Sequence, residues 1–338
     1  MSRAVETART MVRPGKGILA MDESNATCNK RFAALGIEPT EEQRRRYRQL
    51  LVTTPGLAEF VAGAILYDET LRQSTDEGVP FPRALEEAGI IPGIKVDTGA
   101  KDLAGHPGEK VTEGLDGLRD RLVEYSAMGA RFAKWRAVLT IGPGRPSRGC
   151  IEANAHALAR YAALCQEAGI TPIVEPEVVM EGDHGIEVCE EVTGRVLDRV
   201  FAELRAQRVD LAGIVLKTNM VVPGADSEEK PSAEEVARAT VGCLTRVVPS
   251  TVPGVAFLSG GQSNVDATAR LDAMNRIYPE TPWRLTFSYG RALQRPALET
   301  WRGQTSKVED AQRNLLHRAR LNAAASVGAY DPSMDTAA

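Results

Sequence analysis

Lys217 sits in GIVLKTNM (213–220), near the end of an apolar, β-branched run where a strand interior normally excludes charge. A lysine there is either paired in a core or used for chemistry. Other strand-like runs of the chain end in the same way. Asp22 follows GILAM, Lys95 closes GIIPGIK, Lys134 and Arg136 stand in FAKWR, and Glu175 and Glu177 in PIVEPE. Ser259-Gly260-Gly261 and Ser288 with Gly290-Arg291 close two later runs. Side chains alternate across a strand with a period of two, so Glu175 and Glu177 share a face, as do Lys134 and Arg136. Three acids (Asp22, Glu175, Glu177) facing three lysines (Lys95, Lys134, Lys217) form a nearly balanced set. Mutual pairing makes their burial tolerable where isolated burial would not be.

Crowded lysines disfavour one another's protonation, so one of them is expected to be neutral near pH 7 and nucleophilic toward a carbonyl. Lys217 would then form a Schiff base whose iminium is an electron sink. Glu175, two residues from a second carboxylate, is expected to have a raised pKa and to serve as general acid and base. The glycines at 260, 261 and 290, with Arg291, leave backbone N–H groups open to a phosphate. Together these residues equip a site to make or break a carbon–carbon bond beside the ketone of a phosphorylated substrate.

Positioning them takes eight strands with their ends at one face. The strand candidates are 17–22, 61–67, 89–96, 132–139, 171–178, 213–220, 254–261 and 283–290. Between them fall helical patterns at 40–52, 115–128, 151–168, 188–207 and 232–246, with a short amphipathic helix at 2–13 and a last alanine-rich one at 308–326. Thr40 opens the second helix with acids first and arginines later, as a capped helix requires. Alternation at this interval predicts a single-domain (β/α)8 barrel over 1–338, with a short tail after about 326. In such a barrel the strand C-termini form the active site. No GxGxxG follows the first strand to support an open dinucleotide-binding sheet.

Composition narrows the function classes. Of 338 residues, 43% are hydrophobic and 25% charged, with a net charge of −4, which argues against a nucleic-acid or membrane-surface protein, because both need a basic face. The five cysteines are odd in number and contain no CxxC pair, as suits a reducing compartment. No targeting segment is legible, and a cytoplasmic location is expected. His106, His156, His184 and His317 are scattered without HxH or HExxH spacing, so neither a metal nor another cofactor is expected.

These residues resemble the class I, Schiff-base-forming fructose-1,6-bisphosphate aldolases. The stretches that carry the resemblance are PGKGILAMDES (14–24), GIKVD (93–97), GLDGL (114–118), FAKWR (132–136), ARYA (159–162), PIVEPE (172–177), LSGGQS (258–263) and FSYGRALQ (287–294). LAMDESNATC and LLVTTPGL are especially similar to the plastid and cyanobacterial branch. The resemblance implies that Lys217 is the Schiff-base lysine and that Glu175 dehydrates the carbinolamine. Asp22 would take the C4 hydroxyl proton with Lys134 beside it, and Glu177 and Lys95 would hold the network. Ser259, Gly260, Gly261, Ser288, Gly290 and Arg291 would bind the phosphate on the dihydroxyacetone side; Arg31, Arg136, Ser24 and Thr27 would meet the other. Sugar phosphates are the implied partners and a homotetramer the implied assembly.

Three positions depart from the family pattern. Thr218 follows the lysine where proline is usual, and Thr98 replaces a frequent lysine. The sequence reads MDTAA where the family's tail carries a tyrosine that assists proton transfer at the enamine carbon, so slower enamine protonation is expected. Competing readings are a metal-dependent aldolase, a Schiff-base barrel acting mainly on sedoheptulose 1,7-bisphosphate or another sugar phosphate, and a non-catalytic phosphate-binding barrel.

Overall fold

A computed structural model describes residues 2–336. In chain order the strands are β1 (Gly17–Ala20), β2 (Val61–Leu66), β3 (Ile91–Lys95), β4 (Gly99–Asp102), β5 (Lys110–Glu113), β6 (Phe132–Leu139), β7 (Thr171–Val178), β8 (Val215–Thr218), β9 (Gly254–Phe257) and β10 (Arg284–Tyr289). Eight of them close a parallel barrel in the order β1-β10-β9-β8-β7-β6-β3-β2. The remaining two, β4 and β5, form an antiparallel hairpin that leaves the barrel directly after Lys95 and walls its mouth. The helices between strands cover the outside, and their buried apolar residues join those of the strands in one continuous core.

The barrel interior is layered. Ile18, Ile65, Phe132, Ile173, Val215 and Ala256 pack into one buried apolar cluster, which the N-terminal helix (Arg3–Met11) closes from below with Ala8, Met11 and its C-cap residue Val12. One alternation step further along their strands stand Lys134, Glu175 and Lys217. A dry layer therefore lies directly beneath the charged one. The neighbouring outward residues Trp135 and Leu216 pack against helices, Trp135 with its ring 5.5 Å from that of Tyr161.

Phe132 fills the barrel centre because two strands give way to it. A Cβ on Gly93 would stand 2.3 Å from its ring, and one on Gly63 would stand 3.0 Å away. Gly93→Ala is therefore expected to destabilise the protein by about 1–3 kcal/mol through overpacking, read as a lower urea midpoint at unchanged slope. An unchanged midpoint would mean that the ring has room to move.

Several elements were not legible as periodic patterns. Helix Asn25–Ala33 buries only Cys28 and Phe32, and helix Asn264–Ile277 buries alanines, Thr268 and Asp272 among its few large apolar residues. Helix Arg291–Trp301 carries Pro296 internally, which reads as a break. Phe81–Glu87 is only two turns long. Thr40 caps its helix as expected, accepting the Gln43 N–H at 3.2 Å. Lys134 and Glu175 lie inside their strands rather than at the ends, because β6 and β7 run on past the other strands as a long ladder from Phe132/Thr171 to Leu139/Val178.

Candidate active site

The strand C-termini and the loops beyond them enclose a cavity of about 790 Å³. Two residues past β1, Asp22 enters it; β3 contributes Lys95, β6 Lys134 and Arg136, β7 Glu175 and Glu177, and β8 Lys217. Ser259, Gly260, Ser288, Gly290 and Arg291 line it from the ends of β9 and β10, and Ser24, Thr27 and Arg31 from the segment that follows β1. Gly261 is the exception. It is exposed and does not line the cavity, and its φ of +93° shapes the turn that follows Ser259 and Gly260. A Cβ there would also come 3.9 Å from the Arg291 guanidinium.

At the centre the charges alternate. Asp22 Oδ2 is 2.7 Å from Lys134 Nζ, Lys134 Nζ is 3.4 Å from Glu175 Oε2, and Glu175 Oε1 is 3.2 Å from Lys217 Nζ. All four side chains are buried. This geometry overturns one expectation. Burial would raise the Glu175 carboxyl, but the ammonium groups of Lys134 and Lys217 outweigh it and hold its pKa below the usual glutamate value. Its close neighbours are cations, because Glu177 has turned to Arg136. Lys134 is not depressed either. Burial alone would depress it, yet the Asp22 and Glu175 carboxylates on either side push its pKa above the ordinary lysine value.

The balanced set of six is in fact a chain of four flanked by two separate pairs. Glu177 Oε2 accepts from Arg136 Nε at 2.5 Å. Lys95 donates to Asp97, at 2.5 Å to Oδ1 and 2.8 Å to the carbonyl. Asp97 was not singled out from sequence, although it closes the GIKVD stretch. Its other oxygen accepts the backbone N–H of Arg136 at 3.2 Å, tying the end of β3 to β6. Glu23, Lys30 and Tyr67 also line the cavity unforeseen.

Two helix N-termini reach the cavity. Gly290 precedes helix Arg291–Trp301, and the residue would tolerate a Cβ poorly, since the Ala20 carbonyl lies 3.3 Å from that position. Ser288 Oγ is buried and has no protein partner, which leaves it for a ligand. Beside it, beyond β1, which pairs with β10, Ser24 caps helix Asn25–Ala33, accepting the Thr27 N–H at 3.3 Å. Open N–H groups and the positive end of the helix dipole favour an anion at either place.

Burial pulls Asp22 upward in pKa as well, but Lys134 and Lys217 outweigh it and bring the group down to about 2 from 3.8. A lowered native pKa stabilises the fold above the unfolded value, and that contribution disappears as pH falls through the native one. Asp22 is therefore expected to contribute about 2 kcal/mol at neutral pH, lost between about pH 4 and pH 2. Urea unfolding of Asp22→Asn across that range should lack this part of the wild-type decline; an identical decline would exclude the contribution.

Among the described residues no three His, Cys, Asp or Glu side chains converge to hold a metal. His106 contacts Ser147 at 3.1 Å and His156 contacts Glu203 at 3.1 Å, away from the cavity. Thr218 is buried and does not line the site. Tyr330 is likewise outside it, its hydroxyl donating to Asp335, which Arg318 also holds at 2.5 Å. Among the described residues no helix is long and apolar enough to cross a membrane.

A closed parallel barrel with a buried lysine against a carboxylate at its mouth, beside two anion-ready helix ends, defines a lyase that works on phosphorylated ketoses. The chain belongs to the class I fructose-bisphosphate aldolase family, whose model matches residues 4–338. It is 56% identical to a probable class 1 fructose-bisphosphate aldolase of Xanthomonas campestris over 98% of this chain and 99% of the relative. Identity with a cytosolic fructose-bisphosphate aldolase of Arabidopsis thaliana is 52%, over 94% and 81%. The solved structure of fructose-bisphosphate aldolase from Plasmodium falciparum matches with a TM-score of 0.96 at 48% identity, covering 97% of this chain and 95% of that one.

Proposed function

We propose that Lys217 attacks the C2 carbonyl of open-chain fructose 1,6-bisphosphate and carries the Schiff base through which the C3–C4 bond is cleaved. The observation that carries this reading is the Glu175 carboxylate held between Lys217 and Lys134, with Asp22 on the far side of Lys134. Glu175 takes the ammonium proton of Lys217, then returns a proton to the carbinolamine hydroxyl, which leaves as water. Asp22, ionised throughout the physiological range, accepts the C4 hydroxyl proton as the C3–C4 electrons move into the iminium. Glyceraldehyde 3-phosphate departs, and the enamine of dihydroxyacetone phosphate stays on Lys217 until C3 is protonated and water releases it. Lys134 offsets the negative charge of both carboxylates throughout.

The phosphate on the dihydroxyacetone side meets Ser259, Gly260, Ser288, Gly290 and Arg291; the other meets Arg31, Ser24 and Thr27, with Arg136 and Lys95 nearby. Glu177 holds Arg136, and Asp97 holds Lys95. Borohydride reduction in the presence of dihydroxyacetone phosphate, followed by peptide mass mapping, tests the assignment. An adduct on Lys217 is expected. A folded protein that traps none would remove the covalent mechanism. Relative kcat/KM on fructose and sedoheptulose bisphosphates decides the preferred chain length. On the resemblance the assembly is a homotetramer, tested by sedimentation velocity, and the compartment is the cytoplasm, in line with the cytosolic relative.

A further inference from the structure

Beside the cavity one carboxylate is shared by two guanidinium groups. Glu23 Oε1 accepts from Arg31 Nη1 at 2.5 Å, and Oε2 accepts from Arg48 Nη1 at 2.7 Å. Arg48 also donates to the Glu23 carbonyl at 3.1 Å. The carboxylate is locked from a third side by Gln294, whose amide donates to Oε1 at 2.9 Å and to the Ala20 carbonyl at 2.5 Å, while the Tyr47 hydroxyl donates to Gln294 Oε1 at 3.0 Å. Glu23 is therefore fixed in place, and the two arginines keep it ionised against its burial.

The charge count of this cluster is unlike its neighbours. Arg136 has Glu177 to itself and Lys95 has Asp97, so those two cations are matched one to one. Arg31 shares its carboxylate, which leaves the cluster with one positive charge in surplus. Arg48 is 2% exposed and does not line the cavity, whereas Arg31 is 26% exposed and does. The surplus is thus delivered at the cavity face.

We propose that Arg48 is a specificity-determining positioning residue: by occupying half of Glu23 it leaves the charge of Arg31 free for the phosphate on the aldehyde half of the sugar, and so selects a ketose bisphosphate over a ketose 1-phosphate. The proposal rests on the reading above that Arg31 faces that phosphate. Without Arg48, Glu23 would neutralise Arg31, and a neutral pair in a partly desolvated wall attracts a phosphate dianion little better than it attracts a hydroxyl.

The test compares steady-state kinetics of wild type, R48M, R48K and the double variant R48M/E23Q on fructose 1,6-bisphosphate and fructose 1-phosphate. R48M is expected to raise KM for the bisphosphate about tenfold while leaving kcat/KM for the 1-phosphate within about twofold. R48K keeps the charge and should match wild type on both substrates. In R48M/E23Q the competing carboxylate is gone as well, so KM for the bisphosphate should return to the wild-type value, a rescue that a merely structural role would not produce. If R48M does not fold, R48K and R48M/E23Q decide, since the first keeps the cation and the second removes it together with the carboxylate it pairs. Equal losses on both substrates, an unchanged bisphosphate KM in R48M, or a double variant that stays impaired would each overturn the proposal. Borohydride trapping on wild-type Lys217 separates the two levels. Its failure sinks the mechanism, whereas trapping without the selectivity change sinks only the role of Arg48.

Discussion

A Lys217→Met variant is expected to lose fructose 1,6-bisphosphate cleavage by about 10⁴-fold or more in kcat, roughly 5.5 kcal/mol of barrier, while remaining folded. The size follows from the mechanism, since without the amine there is no iminium to receive the C3–C4 electrons, and the remaining groups offer no equivalent sink. The fold should survive because Glu175 keeps Lys134 at 3.4 Å, so no carboxylate is left without a cation. Lys217→Arg separates charge from nucleophilicity. It preserves the positive group near Glu175, yet a guanidinium is always protonated and forms no Schiff base. Both variants should therefore be equally inactive, with near-native circular dichroism. Activity in the arginine variant would show that Lys217 acts only through its charge.

The second large effect is expected at Lys134. Its ammonium lies between Asp22 at 2.7 Å and Glu175 at 3.4 Å, and all three groups are buried. Removing it in Lys134→Met leaves two buried carboxylates with only Lys217 to offset them, at a cost of about 3–5 kcal/mol. The loss should shrink as pH is lowered. Lys134 is what holds Asp22 and Glu175 down, so without it both pKa values rise, and protonation relieves the uncompensated charge at a milder pH. For the same reason the acid limb of kcat/KM should move to higher pH, and kcat should fall about 10²–10³-fold through lost charge stabilisation. Urea unfolding at pH 7 and pH 5.5, with a pH–rate profile, checks both parts. A destabilisation independent of pH would mean that packing rather than charge explains the loss.

The Arg48 proposal extends the same electrostatic logic outward. Cations along this wall are matched to carboxylates in different ratios, and the ratio sets what charge reaches the substrate. Substrate choice can then be adjusted from positions that never touch the sugar.

The sequence by itself determined which residues share a face and in which order they appear. Phe132 and Lys134, Ile173 and Glu175, Val215 and Lys217 are each two apart, so one strand period carries the chain from the apolar layer to the reactive one. Eight such runs separated by helices sufficed for the barrel, and the motifs around them for the family. The missed helices were those whose buried faces are alanine or polar, where hydrophobic contrast is low, as in Asn264–Ile277. Pairing was decided only by the closed barrel. Glu175 and Glu177 look equivalent in PIVEPE, yet strand stagger sets one against Lys134 and Lys217 and the other against Arg136. That is why Glu175 is lowered in pKa where sequence spacing predicted a raised value. Coulomb energy depends on distances across the barrel between residues far apart in the chain, and a strand pattern contains no such distances. Glu23 and Arg48 stayed hidden for the same reason, each defined by a partner that folding alone brings within about 3 Å.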